Sequence, residues 1–186
     1  MKMNVRCRGL WLAVALVACA GCLSARRAPV ANWLVETPSG AASAASGREA
    51  LALRELRVRA PYDSTAFVVL RENGSVAFDA ANAFAARPAL MLAEAAREQL
   101  KGNAADAPGP ATDVLVTRLA LDCRSPGRRQ ALVELRLTAG KGAPDRRTAA
   151  GRAAVDVARG NYTEAFSRAF AAALAEAVGS LGAARQ

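Results

Sequence analysis

Phe67-Val68-Val69-Leu70-Arg71-Glu72-Asn73-Gly74-Ser75-Val76-Ala77-Phe78 is the stretch that decides the fold. Two apolar runs flank Asn73-Gly74, a pair that supplies the two positive φ angles of a type I′ turn, so the segment reads as an antiparallel hairpin. Upstream, Leu51 and Leu53, then Leu56 and Val58, alternate with polar residues but change phase between the pairs, as a strand with a bulge at Arg54-Glu55 does. Pro61 ends that strand. Downstream, Pro88 sits well in the first turn of a helix, where its missing N–H costs nothing. The helix continues to about Lys101, with Met91, Leu92, Ala95 and Ala96 on one face and Glu94, Arg97, Glu98 and Lys101 on the other. Gly102-Asn103 stops it.

The second half repeats this plan. Asp113 to Cys123 reads as a long strand, with Leu115, Thr117, Leu119 and Leu121 on one face and Val114, Val116, Arg118 and Ala120 on the other. Ser125-Pro126-Gly127-Arg128 fits a type II turn, and Gln130 to Thr138 returns with Ala131, Val133, Leu135 and Leu137 inward. Thr148 to Val157 makes a weaker strand. Asn161-Tyr162-Thr163-Glu164 is a capping box opening a last helix. Phe166, Ala169, Phe170, Ala173, Leu174, Ala177 and Val178 form its apolar stripe, and Gly179 closes it. The order βββαβββα predicts an α+β fold, a two-layer sandwich in which an antiparallel sheet carries two helices on one face. The two halves echo each other like a duplicated unit.

The N-terminus carries an address. Lys2, Arg6 and Arg8 precede the apolar run Leu10 to Leu16, and Leu16-Val17-Ala18-Cys19 follows at the position of a cut. This is a removable export segment that ends in a thiol, the arrangement of a bacterial lipoprotein signal. Residues 1–18 are the signal, and the mature chain begins at an acylated Cys19. Cys22, after Ala20 and Gly21, is the alternative acylation site. A plain secretory signal or an uncleaved anchor are the rival readings, though the apolar run from Gly9 to Leu23 is shorter than the roughly 20 residues of a spanning helix. Ala20 after Cys19, where an aspartate would signal inner-membrane retention in enteric bacteria, favours the outer membrane. Residues 19–48, rich in small and breaker residues, form a flexible tether. Asn32-Trp33-Leu34-Val35 is the exception, an edge strand or a loop pinned to the domain. Residues 49–182 form the single domain.

Composition limits the chemistry. The formal charge of +9 falls by three to +6 when Lys2, Arg6 and Arg8 leave with the signal. The arginine pairs 26–27, 128–129 and 146–147 are read as solvated, with a headgroup or partner contact as the other reading, and an exported address argues against nucleic acid. The chain has no histidine, which removes the commonest metal ligand and the commonest general base at neutral pH. No cofactor, metal or catalytic residue is expected, and the chain reads as a non-enzyme. Gly179-Ser180-Leu181-Gly182 is no nucleophile elbow, and Gly140-Lys141-Gly142 lacks the spacing of a phosphate loop. Asp63 with Glu72, and Asp113 with Asp122, are the carboxylate pairs to examine. Phe84 with Met91, and Phe166 with Phe170, are where a lipid groove would be sought, with core packing favoured. A Cys22–Cys123 disulfide is allowed in an oxidising compartment but disfavoured by the tether.

The run Phe67 to Leu100 resembles the ABC-type transport auxiliary lipoproteins, the PqiC-type family. The resemblance rests on the lipobox, a first strand ending near a proline, the Phe-Val-Val-Leu-Arg strand, the hairpin, Phe84-Ala85-Ala86-Arg87-Pro88 and the amphipathic helix. It covers most of Leu51 to Leu181 in element order and is sharp over about 35 residues. Phe84 stands where members often carry tryptophan, and Trp33 matches an aromatic near the tether. The resemblance implies a periplasm-facing lipoprotein of the outer membrane, held by its lipid anchor beside an MCE-type periplasmic protein with its ABC permease and ATPase in moving lipids between membranes. It also suggests a homo-oligomer, and it transfers no catalytic residue. A structural or regulatory lipoprotein assisting an outer-membrane or cell-wall assembly complex fits the same architecture.

Overall fold

The chain alternates short strands with two amphipathic helices, and the computed structural model describes residues 30–35, 50–101, 109–140 and 145–183. The elements are β1 (Ala31–Trp33), β2 (Ala52–Val58), β3 (Ala66–Arg71), β4 (Val76–Phe84), α1 (Pro88–Leu100), β5 (Ala111–Cys123), β6 (Gln130–Ala139), β7 (Arg147–Asp156) and α2 (Tyr162–Ala183), with a 3-10 turn at Ala158–Gly160 before α2. The order βββαβββα is therefore present from β2 onward, with one extra edge strand ahead of it. The signal, Cys19, Cys22 and the Gly102-Asn103 stop lie outside the described residues, as does the tether apart from residues 30–35.

The sheet is mixed, not purely antiparallel. The β3–β4, β5–β6 and β6–β7 pairs are antiparallel, whereas β1–β4, β2–β5 and β3–β5 are parallel. The reason lies in the path of α1: it carries the chain from the end of β4 to the start of β2, where the Leu51 N–H donates to the Leu100 carbonyl at 3.0 Å, so β5 sets out from there antiparallel to β4 and parallel to β2 and β3. Apolar periodicity identifies a strand but carries no information on its direction. β5 is the hub. Its first half pairs with β2 (Ala52 opposite Ala111, Val58 opposite Val116) and its last residues pair with β3 on the same edge (Val69 opposite Leu121, Arg71 opposite Cys123). β2 and β3 are thus two pieces of one broken strand. Arg59–Thr65 fills the break, anchored by the Arg59 N–H donating to the Val116 carbonyl at 2.9 Å.

Three local expectations change. The β3–β4 loop is not a two-residue type I′ turn. The Gly74 N–H donates to the Arg71 carbonyl at 2.9 Å and the Arg71 N–H to the Ser75 carbonyl at 3.0 Å, which makes a three-residue loop with Gly74 left-handed at φ 77°. That is a turn closed by a glycine bulge, the other hairpin solution that an Asn-Gly pair permits. The Ser125–Arg128 turn does form as expected, closed at 3.1 Å with Gly127 at φ 71°. Second, β5 does not keep one alternation along its length. Its register with β6 shifts between Val116 and Arg118, so Val114 and Val116 join Leu119 and Leu121 in the helix-side core, while Leu115 is exposed. Third, Gly179 does not end α2, which runs on to Ala183. An interior glycine costs a helix about 1 kcal/mol, and burial of Leu181 in the next turn offsets this.

Both helices lie on one face of the sheet and share its core. α1 presents Met91, Leu92, Ala95, Ala96 and Leu100, and α2 presents the predicted stripe extended by Tyr162, Ala165 and Leu181. α1 packs over β2 and α2 over β6 and β7. Asp63, from the break between β2 and β3, caps α1 by accepting the Ala89 N–H at 3.2 Å. At the start of α2, Asn161 Oδ1 accepts the Glu164 N–H at 3.2 Å, and its side-chain amide donates to Glu164 at 2.9 Å. α2 also comes very close to β7 at Gly151, and Glu176 accepts the Arg152 N–H at 2.7 Å, covering that strand's outer edge.

Candidate functional site: the helix-free sheet face and the N-terminal edge

The aromatic residues marked for a lipid groove form a closed core instead. Phe67, Phe84 and Phe166 meet with ring centroids 4.5 Å and 5.3 Å apart, and Tyr162 adds to them at 5.4 Å from Phe67. Phe84, Phe166, Phe170 and Met91 are all buried. The tilted and edge-on geometries are those that aromatic quadrupoles prefer in a packed interior. Trp33 of β1 stacks edge-on against Tyr162 at 5.2 Å and donates its indole N–H to Asn82 Oδ1 at 3.1 Å. With Val35 buried beside it, the Asn32–Val35 segment is an edge strand and is also pinned to the core.

Asp79 decides what β4 shows to the outside. Its carboxylate accepts the N–H groups of Ala81 and Asn82 at 2.8 and 3.1 Å and the Asn82 side-chain amide at 3.0 Å. The β3–β4 register jumps across this loop of chain, from Val68 opposite Phe78 to Ala66 opposite Ala83. Side chains alternate along a strand, so such a bulge reverses which face each residue meets. Phe84 therefore enters the helix-side core. Val76 and Phe78 point to the helix-free face, 51% and 56% exposed, beside a second buried cluster of Val68, Leu70, Ala120 and Leu132.

Arginine–carboxylate pairs stud the rest of that face. Arg54 forks onto Asp113, Arg124 onto Asp122 at 2.9 and 2.6 Å, and Arg128 onto Asp156 at 2.8 and 3.0 Å. Hydrogen bonds from these guanidinium groups hold all three aspartates below the usual carboxylate range. Glu134 sits between two arginines, 3.0 Å from Arg118 and 3.3 Å from Arg152. Beside it a shallow cleft is lined by Thr117, Glu134, Arg136, Arg152 and Glu176.

This geometry separates the candidate acid–base pairs. Asp113 and Asp122 stand nine residues apart on one strand, about 30 Å, each tied to its own arginine. Asp63 caps α1 and Glu72 lies exposed in the β3–β4 loop. Among the described residues no cluster of His, Cys, Asp and Glu is placed to hold a metal ion, and no helix is long and apolar enough to cross a membrane. Cys123 has no disulfide partner among the described residues, and partial burial pushes the pKa of its thiol up. The arrangement offers guanidinium N–H groups and a small apolar patch, which is chemistry for binding. The sequence reading overlooked the outward turn of Phe78 and the two arginines on Glu134. Asp79-Ala80-Ala81-Asn82 was the available signal, since Asp and Asn side chains fold back on their own backbone in such turns.

No family model and no curated protein matches the chain. Its fold is shared with solved structures. A crystal structure of protein XCC0632 from Xanthomonas campestris, of the family DUF330, superposes with a TM-score of 0.54 at 17% identity, over 83% of this chain and 91% of that one. A second crystal structure, of an uncharacterized protein, gives a TM-score of 0.52 at 10% identity over 84% and 99%. The fold is therefore that of a mixed α+β sandwich shared with a DUF330 protein over nearly its full length.

Proposed function

We propose that this chain is a non-enzymatic lipoprotein of the bacterial envelope, anchored through Cys19 in the outer membrane and facing the periplasm, where it serves an ABC/MCE-type lipid transport system as its auxiliary component. The observation that carries the reading is the coincidence of two independent features. One is the Leu16-Val17-Ala18-Cys19 lipobox; the other is the fold shared with the DUF330 protein, since DUF330 is the auxiliary lipoprotein family that Phe67 to Leu100 resembles. The carboxylates tied to arginine and the closed aromatic core support a docking role over a catalytic or lipid-carrying one. The partner in this reading is the MCE-type protein with its permease and ATPase.

Crosslinking of the lipidated protein in native membranes, followed by identification of captured partners with a Cys19→Ala control, tests it. Recovery of an MCE protein with its permease and ATPase, lost in the control, is the expected result. Recovery of an outer-membrane or cell-wall assembly complex instead overturns the transport reading and favours a structural or regulatory lipoprotein.

A further inference from the structure

We infer that one end of the sheet, the rim formed by the β3–β4 loop and the β5–β6 turn, lies against the phosphate headgroups of the leaflet that holds the anchor, with Val76 and Phe78 at its apolar margin. The inference rests on the reading that Cys19 is acylated. Its geometric basis is β1. Because Ala31–Trp33 is paired into the sheet and Trp33 is fixed on Tyr162 and Asn82, the domain begins at Val30 and not at Ala50. Cys19 lies eleven residues before Val30, so the anchor stands at most about 40 Å from the sheet, against about 110 Å if the domain began at Ala50.

Direction narrows this further. β1 is parallel to β4, with Ala31 opposite Asn82 and Trp33 opposite Phe84. Its N-terminal end therefore points back along β4 toward Val76, the end where β3 turns into β4 and where Arg71 lies opposite Cys123 at the end of β5. From the level of Ala81 to that rim is about 20 Å of strand. The opposite rim, at Ala111, Ala139 and Arg147, lies in the other direction and would require the chain to reverse.

The rim has the chemistry for headgroups. Arg71 and Arg129 are exposed and meet no carboxylate among the described residues; Arg129 donates to the Tyr162 hydroxyl at 3.4 Å. Guanidinium groups pair with phosphate through two parallel hydrogen bonds. Arg129 meets Tyr162 on the helix side of the rim, and on its helix-free side Val76 and Phe78 keep about half their surface in water. Basic residues together with exposed apolar side chains are the composition of an interfacial membrane contact, which for an amphipathic helix buries the apolar face about 5–10 Å deep.

Hydrogen exchange on the full mature protein tests the assignment. The lipidated chain is reconstituted in phosphatidylethanolamine–phosphatidylglycerol vesicles and compared with the same protein in neutral detergent. Exchange in Arg71–Phe78 and Arg124–Arg129 is expected to slow severalfold in vesicles, with no change at Thr138–Ala139 and Arg147–Ala149. The variant Phe78→Ser with Arg71→Glu and Arg129→Glu, all at exposed positions, should lose that protection while still sedimenting with vesicles through its acyl chains. Protection at the opposite rim, or none, in a protein whose mass shows acylation overturns the rim assignment alone. A wild-type chain without acyl mass on its N-terminal cysteine overturns the anchored reading and the rim assignment with it.

Discussion

Replacing Gly151 with alanine removes no contact and adds one methyl group, yet the packing of α2 on β7 makes it a severe change. A Cβ built at Gly151 collides with the backbone carbonyl of Ala173 and comes within 3.0 Å of the Ala177 amide nitrogen. Neither obstacle is a side chain that can rotate away, so the helix must lift from the strand. Overpacking of this kind costs about 1–3 kcal/mol. Lifting α2 also breaks the bond from the Arg152 N–H to Glu176, worth about 0.5–1.5 kcal/mol. Alanine's smaller backbone entropy loss returns about 0.5–1 kcal/mol. The net expectation is a loss of about 2–3 kcal/mol, a large share of the 5–15 kcal/mol typical of a domain. In urea unfolding followed by circular dichroism, with a slope of about 1–3 kcal/mol per molar, the midpoint should fall by roughly 1–2 M. Ala173→Gly added to the variant should restore nothing, because the collision is with backbone. A midpoint within about 0.3 M of the parent, or rescue by Ala173→Gly, refutes the close-approach argument.

Asn161→Ala removes the side-chain oxygen that accepts the Glu164 N–H and should lower stability by about 1 kcal/mol, read in the same urea titration, with no change in slope. Asp79→Ala withdraws three hydrogen bonds from the β4 bulge and should cost about 2–3 kcal/mol; retention of parental stability would mean that the bulge does not depend on that carboxylate. The pKa values of Asp113, Asp122 and Asp156 are lowered in the folded state by their arginines, so their contribution is present above the unfolded carboxylate range and is lost as pH falls through the folded values. Stability should thus hold from neutrality down to about pH 5 and decline below about pH 4. Asp113→Asn should flatten part of that decline when denaturation midpoints are measured across pH.

The elements were legible because each carries a local cause. Phe67–Phe78 announces a hairpin through Asn73-Gly74, Pro88 opens α1, Pro126-Gly127 turns β5 into β6, and Asn161 with Glu164 opens α2. The parallel pairing of β2 and β3 with β5 was not legible, since side-chain alternation is the same for either strand direction. The two phase changes, at Val116–Arg118 and at Asp79–Asn82, were hidden for a related reason. A bulge inverts every residue beyond it, and Thr117 and Ala80 give no apolar contrast that would show the inversion. Hence the buried aromatics of the candidate groove could be assigned to the core from their spacing, while the outward Phe78, three residues into β4, could not be seen to leave it.

The broken strand has a consequence for how the chain assembles. β5, β6, β7 and α2 are joined in sequence by short connections and pack chiefly on one another, so this half can condense through local contacts, which close at low entropic cost. β2 and β3 have no such route. Both must wait for β5, the strand that gives them register, and until it arrives β2 stands unpaired and the β3–β4 hairpin has only the three-residue β1 beside it. An isolated two-stranded hairpin is marginal in water. The C-terminal half is therefore the template and the N-terminal half its late addition, and a chain truncated before Ala111 would be left with sticky, partnerless strand edges.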